Sequence, residues 1–269
     1  MALPSGLRWV PPRRWGGLRV EWRVVAVPPY RIYTVEAGRG TPVVLLHGLS
    51  GSSRWWRRNA PALAARHRVL IPDVIGFGRT RAVGRIPSIA EVAAILREWS
   101  ERLGLERFAL VGHSMGGEIA IHLAARHPQH VERLALVAAA GLPRALTPAH
   151  LLRFATELAP PRSWGDPRFL PVIVGDALYA GPRSIVRALG NILRDDVRPL
   201  LPAIAVPTLL VWGRHDALVP LADGQAMRAA IPAARLAVLA GAAHNPMVDE
   251  PDAFNELLLR FLAGEEVGE

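Results

Sequence analysis

Short, nearly continuous apolar runs recur along the chain, and they are the feature that most constrains its fold. Such runs are typical of strands buried on both faces, as in a parallel sheet. They are PVVLLHG, RVLIPDVIG, FALVGHS, RLALVAAAG, PTLLVWG and RLAVLAG. Stretches with helical spacing of apolar residues alternate with them, at 59–66, 88–103, 115–127, 221–230 and 251–262. The alternation predicts an α/β fold with a doubly wound, mostly parallel sheet of about eight strands flanked by helices. Two earlier runs, LRVEWRVVAV and YRIYTVEAG, predict an antiparallel pair at one edge.

The interval between Gly141 and Val206 interrupts this alternation, because it contains no convincing strand. Its helical pieces are broken by prolines and glycines, and it is too long for a plain loop. We therefore predict a helical cap at residues 143–200, inserted after the sixth strand, and a core domain made of residues 1–142 and 201–269. The cap should lie over the carboxyl ends of the strands, where open α/β sheets bind ligands.

The composition excludes several classes of protein. The chain has no cysteine, so disulfides, thiolate catalysis and cysteine-based zinc sites are ruled out. The formal net charge is +9 and every basic residue is an arginine, but the arginines are scattered and no DNA-reading motif accompanies them. We therefore expect no nucleic-acid partner. The amino-terminal stretch lacks the apolar core of a signal peptide, and no apolar run approaches the roughly 20 residues of a membrane span. We expect a cytoplasmic protein without a membrane partner.

The hexapeptide GHSMGG, residues 112–117, lies where a predicted strand turns into a predicted helix. A turn this sharp strains the backbone and crowds its neighbours, and Gly112 and Gly116 would relieve that crowding. The pattern G-x-S-x-G in a strand-turn-helix setting is typical of a nucleophile elbow, which exposes a serine hydroxyl at the edge of the sheet. Ser114 is thus the candidate nucleophile.

A serine hydroxyl needs a base, and His244 is the best candidate among nine histidines. It follows the last predicted strand, although a structural histidine in a loop is the alternative interpretation. We expect His47 to organise a loop and His113 to face away from Ser114, while His215 neighbours a better candidate acid. The other histidines are expected at the surface: His67, His122, His127, His130 and His150.

The acid that orients the base is predicted to be Asp216, which follows a strand near the end of the cap. Asp73 also follows a strand but precedes the serine, and we interpret it as a residue that organises a loop. Asp249 is expected to shape the turn after His244. An oxyanion formed during ester hydrolysis needs N–H donors. We assign the backbone amides of Met115, directly after the serine, and Leu49, in the loop after VVLLHG.

The chain resembles the α/β-hydrolase fold superfamily, in its cap-bearing esterase-like branch. The matching segments occur in the family's order: VVLLHGLSGSSRWW, RVLIPDVIGFGRT, VGHSMGG, PTLLVWGRHDALVP and GAAHNPMVDEPDAFNELLLRFL. The resemblance implies a catalytic triad of Ser114, Asp216 and His244 that uses water, with no cofactor and no metal. It argues against haloalkane dehalogenases and epoxide hydrolases, whose nucleophile is an aspartate. Relatives that cleave carbon–carbon bonds usually carry asparagine and tryptophan where this chain has His113 and Asn245.

We therefore expect a serine hydrolase that cleaves carboxylic esters of small to medium apolar substrates through an acyl-enzyme. A carbon–carbon bond hydrolase, thioesterase, lactonase or perhydrolase is an alternative. A receptor-like member of the fold that binds a ligand and turns over slowly is an alternative of another class. Homo-oligomerisation stays open. The candidate pocket residues are aromatic, although large aromatic side chains are more often core: Trp55, Trp56, Phe154, Trp164, Phe169 and Tyr179.

Overall fold

The computed structural model describes residues 14–15, 17–143 and 167–268 of the 269-residue chain. The strands are β1 (Arg14–Trp15), β2 (Leu18–Arg19), β3 (Glu21–Val27), β4 (Tyr30–Ala37), β5 (Pro42–Leu46), β6 (Arg68–Pro72), β7 (Phe108–His113), β8 (Val131–Val137), β9 (Thr208–Gly213) and β10 (Ala234–Leu239). The helices are α1 (Ala60–Ala64), α2 (Ile89–Arg102), α3 (Met115–Arg126), α4 (Leu170–Ala180), α5 (Pro182–Arg194), α6 (Leu221–Ala230), α7 (Pro246–Asp249) and α8 (Pro251–Leu262). Short 3-10 turns occupy Ser53–Trp56, Pro128–His130, Pro167–Phe169 and Leu201–Ala203.

Eight of these strands form one sheet, in the order β10-β9-β8-β7-β5-β6-β4-β3. The pairs β3–β4 and β4–β6 are antiparallel, and every other neighbouring pair is parallel. The mostly parallel sheet and the antiparallel pair at its edge confirm the predictions made from the apolar runs. All residues of β7 and β9 are buried, as expected for strands covered on both faces. The edge strand β10 is only half-buried along its whole length.

The two faces of the sheet contribute to two separate apolar cores. On β5, Val44 and Leu46 pack into the first core, which includes residues of α2, α3 and α6. The alternating residues Val43 and Leu45 pack into the second core, which includes residues of α1 and α8. This alternation follows from the two-residue period of a strand.

Helix α2 begins with a capping box. The Ser88 side chain accepts the backbone N–H of Glu91, and the Glu91 side chain accepts the backbone N–H of Ser88.

Residues 143–200, which we call the insert, connect β8 to β9. In their described part they contain only helices and turns, namely the turn at Pro167–Phe169, α4 and α5. The sheet has six strands before the insert and two after it. Polar contacts join the insert to the core. Among them, the Asn191 amide donates to the carbonyl of Pro87 at 2.8 Å, and Asp195 is hydrogen-bonded to His122 at 2.6 Å. The division into core and cap stays a prediction.

Candidate active site

Ser114 directly follows β7 and adopts φ 53° and ψ −117°, a conformation that L-residues rarely take. Its backbone N–H donates to the carbonyl of Val137 at 2.9 Å, which fixes the turn against β8. A Cβ atom at Gly112 would lie 2.3 Å from the carbonyl oxygen of Gly116, and one at Gly116 would lie 2.6 Å from that of Leu46. Both positions therefore require glycine, as the sequence predicted, and the serine is presented on a sharp turn.

Three residues from separate loops meet at the carboxyl end of the sheet. Nε2 of His244 lies 3.1 Å from Oγ of Ser114, and Nδ1 of His244 lies 2.9 Å from Oδ2 of Asp216. The other oxygen of Asp216 accepts the backbone N–H groups of Leu218 and Val219 at 2.9 and 2.8 Å. The Asp216 side chain is completely buried, so these bonds replace the water that an exposed carboxylate would bind. The arrangement has the order and geometry of a serine, base and acid.

His113 contacts the loop that carries His244. Its Nε2–H donates to the backbone carbonyl of His244 at 2.8 Å, and the two ring centroids are 4.9 Å apart. Burial, and the charge that His244 can carry, hold the pKa of His113 well below its usual range, so the ring is neutral. The amide of Ala243 donates to Asp249 at 2.9 Å, which confirms that Asp249 shapes this loop. The sequence predicted that His113 faces away from Ser114 but not that it is hydrogen-bonded to the backbone of His244.

The two amides assigned to an oxyanion hole belong to residues next to Ser114 or to its neighbour in space: Met115 follows Ser114 in the chain, and a Cβ atom at Gly48, the residue before Leu49, would lie 3.1 Å from Cβ of Ser114. Met115 is the first residue of α3, and neither its N–H nor that of Leu49 bonds another backbone group in the described part of the chain. His47 fixes the Leu49 loop, because its Nδ1–H donates to Gly48 at 2.8 Å and its Nε2 accepts from Val74 at 2.9 Å. Burial lowers the pKa of His47, although nearby Asp73 opposes this shift. The predicted loop role of His47 is confirmed.

Asp73 directly follows β6 and is buried. Its two oxygens accept the backbone N–H groups of Ser53 and Arg79 at 2.7 and 2.8 Å. It has no hydrogen bond to His244, and the prediction that it organises a loop is confirmed. Burial raises the pKa of Asp73, and the proximity of His47 opposes the rise.

The predicted aromatic pocket does not form as one surface. The prediction that Trp56 lines the pocket is wrong. Trp56 is fully buried in the second core against Phe254, and the two ring centroids are 6.2 Å apart. Trp55 and Phe169 are buried against each other, and their ring centroids are 5.9 Å apart. Tyr179 is 41% exposed, and the Arg81 guanidinium carbon lies 4.4 Å from its ring centroid. The two other predicted residues, Phe154 and Trp164, lie outside the described residues.

A small cavity beside Met115 is lined mostly by aliphatic side chains, with Phe77 as its one aromatic residue. It lies between the loop that leads into α2, the start of α3 and helix α5 of the insert. Asn191 is its one amide side chain, and its Nδ2 is already bonded to Pro87. The lining residues are Val74, Ile75, Phe77, Ile86, Pro87, Ile89, Val92, Met115, Ile119, Ala188 and Asn191. Sequence reasoning missed them because most are apolar residues in helices and loops, which the sequence does not distinguish from ordinary core residues.

Glu118 is a buried acidic residue in the first turn of α3, and its backbone N–H donates to the carbonyl of Ser114 at 3.1 Å. Burial, together with the negative charge of Asp195, raises the pKa of Glu118 to about 10. Asp195 follows α5 and bonds Nε2 of His122 at 2.6 Å. His122 was expected at the surface, and that prediction is wrong, since the residue is only 2% exposed. His122 is buried because the face of α3 that carries it is covered by the segment after α5, which includes Asp195.

Comparison with known proteins identifies the family. Residues 41–178 and 181–251 match the family described as the alpha/beta hydrolase fold. The chain is 31% identical over 262 residues to a 2-hydroxy-6-oxo-6-phenylhexa-2,4-dienoate hydrolase from Burkholderia cepacia, covering 87% of this chain and 92% of that one.

Two solved structures are similar at 26% identity. One is a thermophilic esterase from Thermogutta terrifontis, with a TM-score of 0.78 over 91% of this chain and 98% of that one. The other is an enol-lactonase from Burkholderia xenovorans LB400, with a TM-score of 0.76 over 90% of this chain and 100% of that one.

The fold and the residues gathered at its edge define a member of the hydrolases built on a mostly parallel α/β sheet. The chain belongs to the alpha/beta hydrolase fold family. Family membership and the names of the relatives support hydrolase activity. Within residues 14–15, 17–143 and 167–268, no helix has the length and apolar character needed to cross a membrane. The same residues contain no grouping of three or more histidine and carboxylate side chains suited to a metal ion.

Proposed function

We propose that this protein is a serine hydrolase that cleaves carboxylic esters through an acyl-enzyme, with Ser114 as nucleophile, His244 as base and Asp216 as orienting acid. The observation that carries the proposal is the continuous chain of contacts from Ser114 Oγ to His244 at 3.1 Å and from His244 to Asp216 at 2.9 Å. The similarity to an esterase and to an enol-lactonase supports it, because a lactone is a cyclic ester.

In the first half-reaction the Ser114 oxygen attacks the acyl carbon of the ester while its proton moves to Nε2 of His244. The negative charge that develops on the carbonyl oxygen is stabilised by the amides of Leu49 and Met115. His244 then gives the proton to the leaving alcohol as the carbon–oxygen bond breaks. The acyl group remains bound to Ser114.

In the second half-reaction a water molecule attacks the acyl carbon, and its proton moves to the same nitrogen of His244. Collapse of the second tetrahedral intermediate breaks the bond to Ser114 and releases the carboxylic acid. Throughout, Asp216 stabilises the imidazolium and keeps the ring in one tautomer. The proposed sequence uses only protein groups and water.

We also infer that the apolar part of the substrate occupies the aliphatic cavity beside Met115. The amide of Met115 would bind the oxyanion while its side chain, Ile119 and Ala188 contact the hydrocarbon. Since α5 supplies Ala188 and Asn191, the insert would act as the cap that limits substrate size. The cavity is small and mostly aliphatic, which favours short or branched apolar groups over large aromatic ones.

Hydrolysis of a carbon–carbon bond is the second candidate, and the 31% identity to the dienoate hydrolase favours it. Against it, His113 and Asn245 occupy the positions where such relatives usually carry asparagine and tryptophan. His113 is engaged with the carbonyl of His244 and buried, so the ring is not free to act on a substrate in this arrangement.

The test is a panel of p-nitrophenyl esters of increasing acyl length, assayed in parallel with 2-hydroxy-6-oxo-dienoates. Ester hydrolysis over many turnovers by the wild type, and none by Ser114→Ala, is the expected result. Cleavage of the dienoates alone would replace the ester assignment with the second candidate. A single slow turnover with tight retention of the product would favour a receptor-like protein.

A further inference from the structure

Asp176 of helix α4 is a buried carboxylate that receives three donors from one segment of the core. Its Oδ2 accepts the Ser52 hydroxyl at 2.8 Å and the indole N–H of Trp55 at 3.1 Å. Its Oδ1 pairs with the guanidinium of Arg54. Asp176 is only 4% exposed, so these donors replace its hydration almost completely. A helix of the insert is thereby joined to residues 52–55, which directly follow the loop that carries Leu49.

Trp55 connects this anchor to the proposed oxyanion loop. A Cβ atom at Gly51 would lie 2.9 Å from the indole ring and 3.0 Å from Nδ1 of His47. The backbone at Gly51 is therefore held between Trp55 and His47. A displaced indole would release the segment that sets the direction of the Leu49 amide.

Trp55 also contacts the residue that holds the base. Its ring centroid lies 5.6 Å from that of His113, and His113 donates to the backbone carbonyl of His244 at 2.8 Å. Asp176 thus lies at the end of two short chains of contacts, one to the oxyanion loop and one to the loop of His244. Both chains pass through the indole whose N–H it accepts.

We propose that Asp176 is a positioning residue, through which the insert holds Trp55 and thereby sets the geometry of the oxyanion loop and of His244. The inference rests on the proposed function and extends it from the reacting groups to the insert. It implies that the insert governs the chemical step even for substrates too small to touch it. A misplacement of about 1 Å in such a site can lower the rate on the order of 100-fold.

A second contact between insert and core separates positioning from simple attachment. Asp195 also joins the insert to the core, through His122 at 2.6 Å, but nothing in that contact involves Trp55 or the Leu49 loop. Asp195→Asn is therefore the matched control for Asp176→Asn. Each change keeps the shape of the side chain and removes one carboxylate charge, although the Asp195 side chain is 22% exposed and that of Asp176 is 3% exposed.

The experiment measures the second-order rate at which a small methyl fluorophosphonate labels Ser114. In that reaction the serine oxygen bonds to phosphorus, fluoride leaves, and the serine proton passes to His244, so the rate reports on the nucleophile, base and oxyanion donors without a chosen ester. We expect Asp176→Asn to lower this rate about 10- to 100-fold. Asp195→Asn should change it less than about 2-fold, with the free energy of unfolding measured for both variants.

Trp55→Phe keeps an aromatic ring at this position but removes the N–H together with the five-membered part of the indole, which provides a second test if Asp176→Asn folds poorly. The rate for Trp55→Phe should fall as well, and the double variant should be no slower than Asp176→Asn, because the two changes break the same contact. With acetate esters, kcat should fall in these variants while KM stays within about 2-fold.

Equal labelling of the wild type and Asp176→Asn, or equal slowing in both aspartate variants, would overturn the positioning role and leave the proposed function intact. A wild type that is not labelled at Ser114 would overturn the proposed function, and the inference with it.

Discussion

Oδ2 of Asp216 lies 2.9 Å from Nδ1 of His244, while Oδ1 of the same carboxylate accepts two backbone N–H groups, from Leu218 and Val219. Both oxygens are engaged in a completely buried side chain, so the carboxylate has one orientation. The Nδ1 proton of His244 is therefore held on the side away from Ser114. Nε2 remains free to accept the proton of the serine hydroxyl at 3.1 Å.

Replacement of this carboxylate is the first prediction. Asp216→Asn keeps the shape of the side chain but presents an amide to His244, which favours the wrong tautomer. Turnover of a p-nitrophenyl ester should fall on the order of 10⁴-fold, with little change in KM. Steady-state kinetics on the folded variant give both parameters.

Asp249→Asn is the matched control, because Asp249 accepts the backbone N–H of Ala243 in the same loop, whereas the carboxylate bonded to Nδ1 of His244 is that of Asp216. It should lose far less activity than Asp216→Asn, as should Asp73→Asn. If Asp216→Asn kept near-normal turnover while one of the other two variants lost it, the acid would be assigned to the wrong residue.

The second prediction concerns the aliphatic cavity. Ala188 is buried and lines it from helix α5, so Ala188→Leu should fill the space with three extra carbon atoms. Hydrolysis of long acyl esters should fall about 10-fold relative to acetate, because one or two methylene groups in a pocket are worth roughly 1–3 kcal/mol.

The control for this change is Val186→Leu, on the same helix but largely exposed to solvent. It should leave the ratio of rates on long and short esters unchanged. An unaltered ratio in Ala188→Leu, with the variant folded, would mean that the substrate binds elsewhere.

The third prediction is a stability effect of Glu118, whose pKa is raised to about 10. In the unfolded chain this carboxyl loses its proton near pH 4.5, so between these values the folded state holds one more proton than the unfolded state. The contribution of Glu118 to the free energy of unfolding is therefore full below about pH 4.5. It falls by up to about 1.4 kcal/mol per pH unit as the pH rises toward 10.

Glu118→Gln removes this titration while keeping the shape of the side chain. Urea unfolding at about pH 6 and about pH 9 should show the variant gaining stability over the wild type, with a larger gain at the higher pH. The exposed Glu256→Gln on α8 serves as control and should follow the wild type. Parallel curves for Glu118→Gln and the wild type would contradict the buried, protonated state of Glu118.

Much of the fold could be predicted from the sequence because its signals are local. Buried parallel strands require continuous apolar runs, and the elbow at Ser114 requires glycine at 112 and 116, where a Cβ atom would collide with backbone. Asp216 and His244 could be proposed because parallel strands bring their carboxyl ends to one edge. These are properties of short segments and of their order along the chain.

The remaining features depend on side chains that meet across long sequence separations. Asp176 lies 121 positions from Trp55, and His122 lies 73 positions from Asp195, so no local pattern indicates either contact. For the same reason His122 was expected at the surface, and Trp56 in a pocket rather than in the core. The identity of an aromatic or polar residue does not indicate which distant residues will pack against it in the fold.

The most direct test of the central claim is the identification of the covalent intermediate. The protein is mixed with an activated acetate ester, quenched in acid within the first turnovers, and analysed by mass spectrometry of the intact chain and its peptides. The account predicts one added acetyl group, located on Ser114, that decays as free acetate appears and is absent from Ser114→Ala. Turnover without a transient acyl group on Ser114, or an acyl group on another residue, would contradict it.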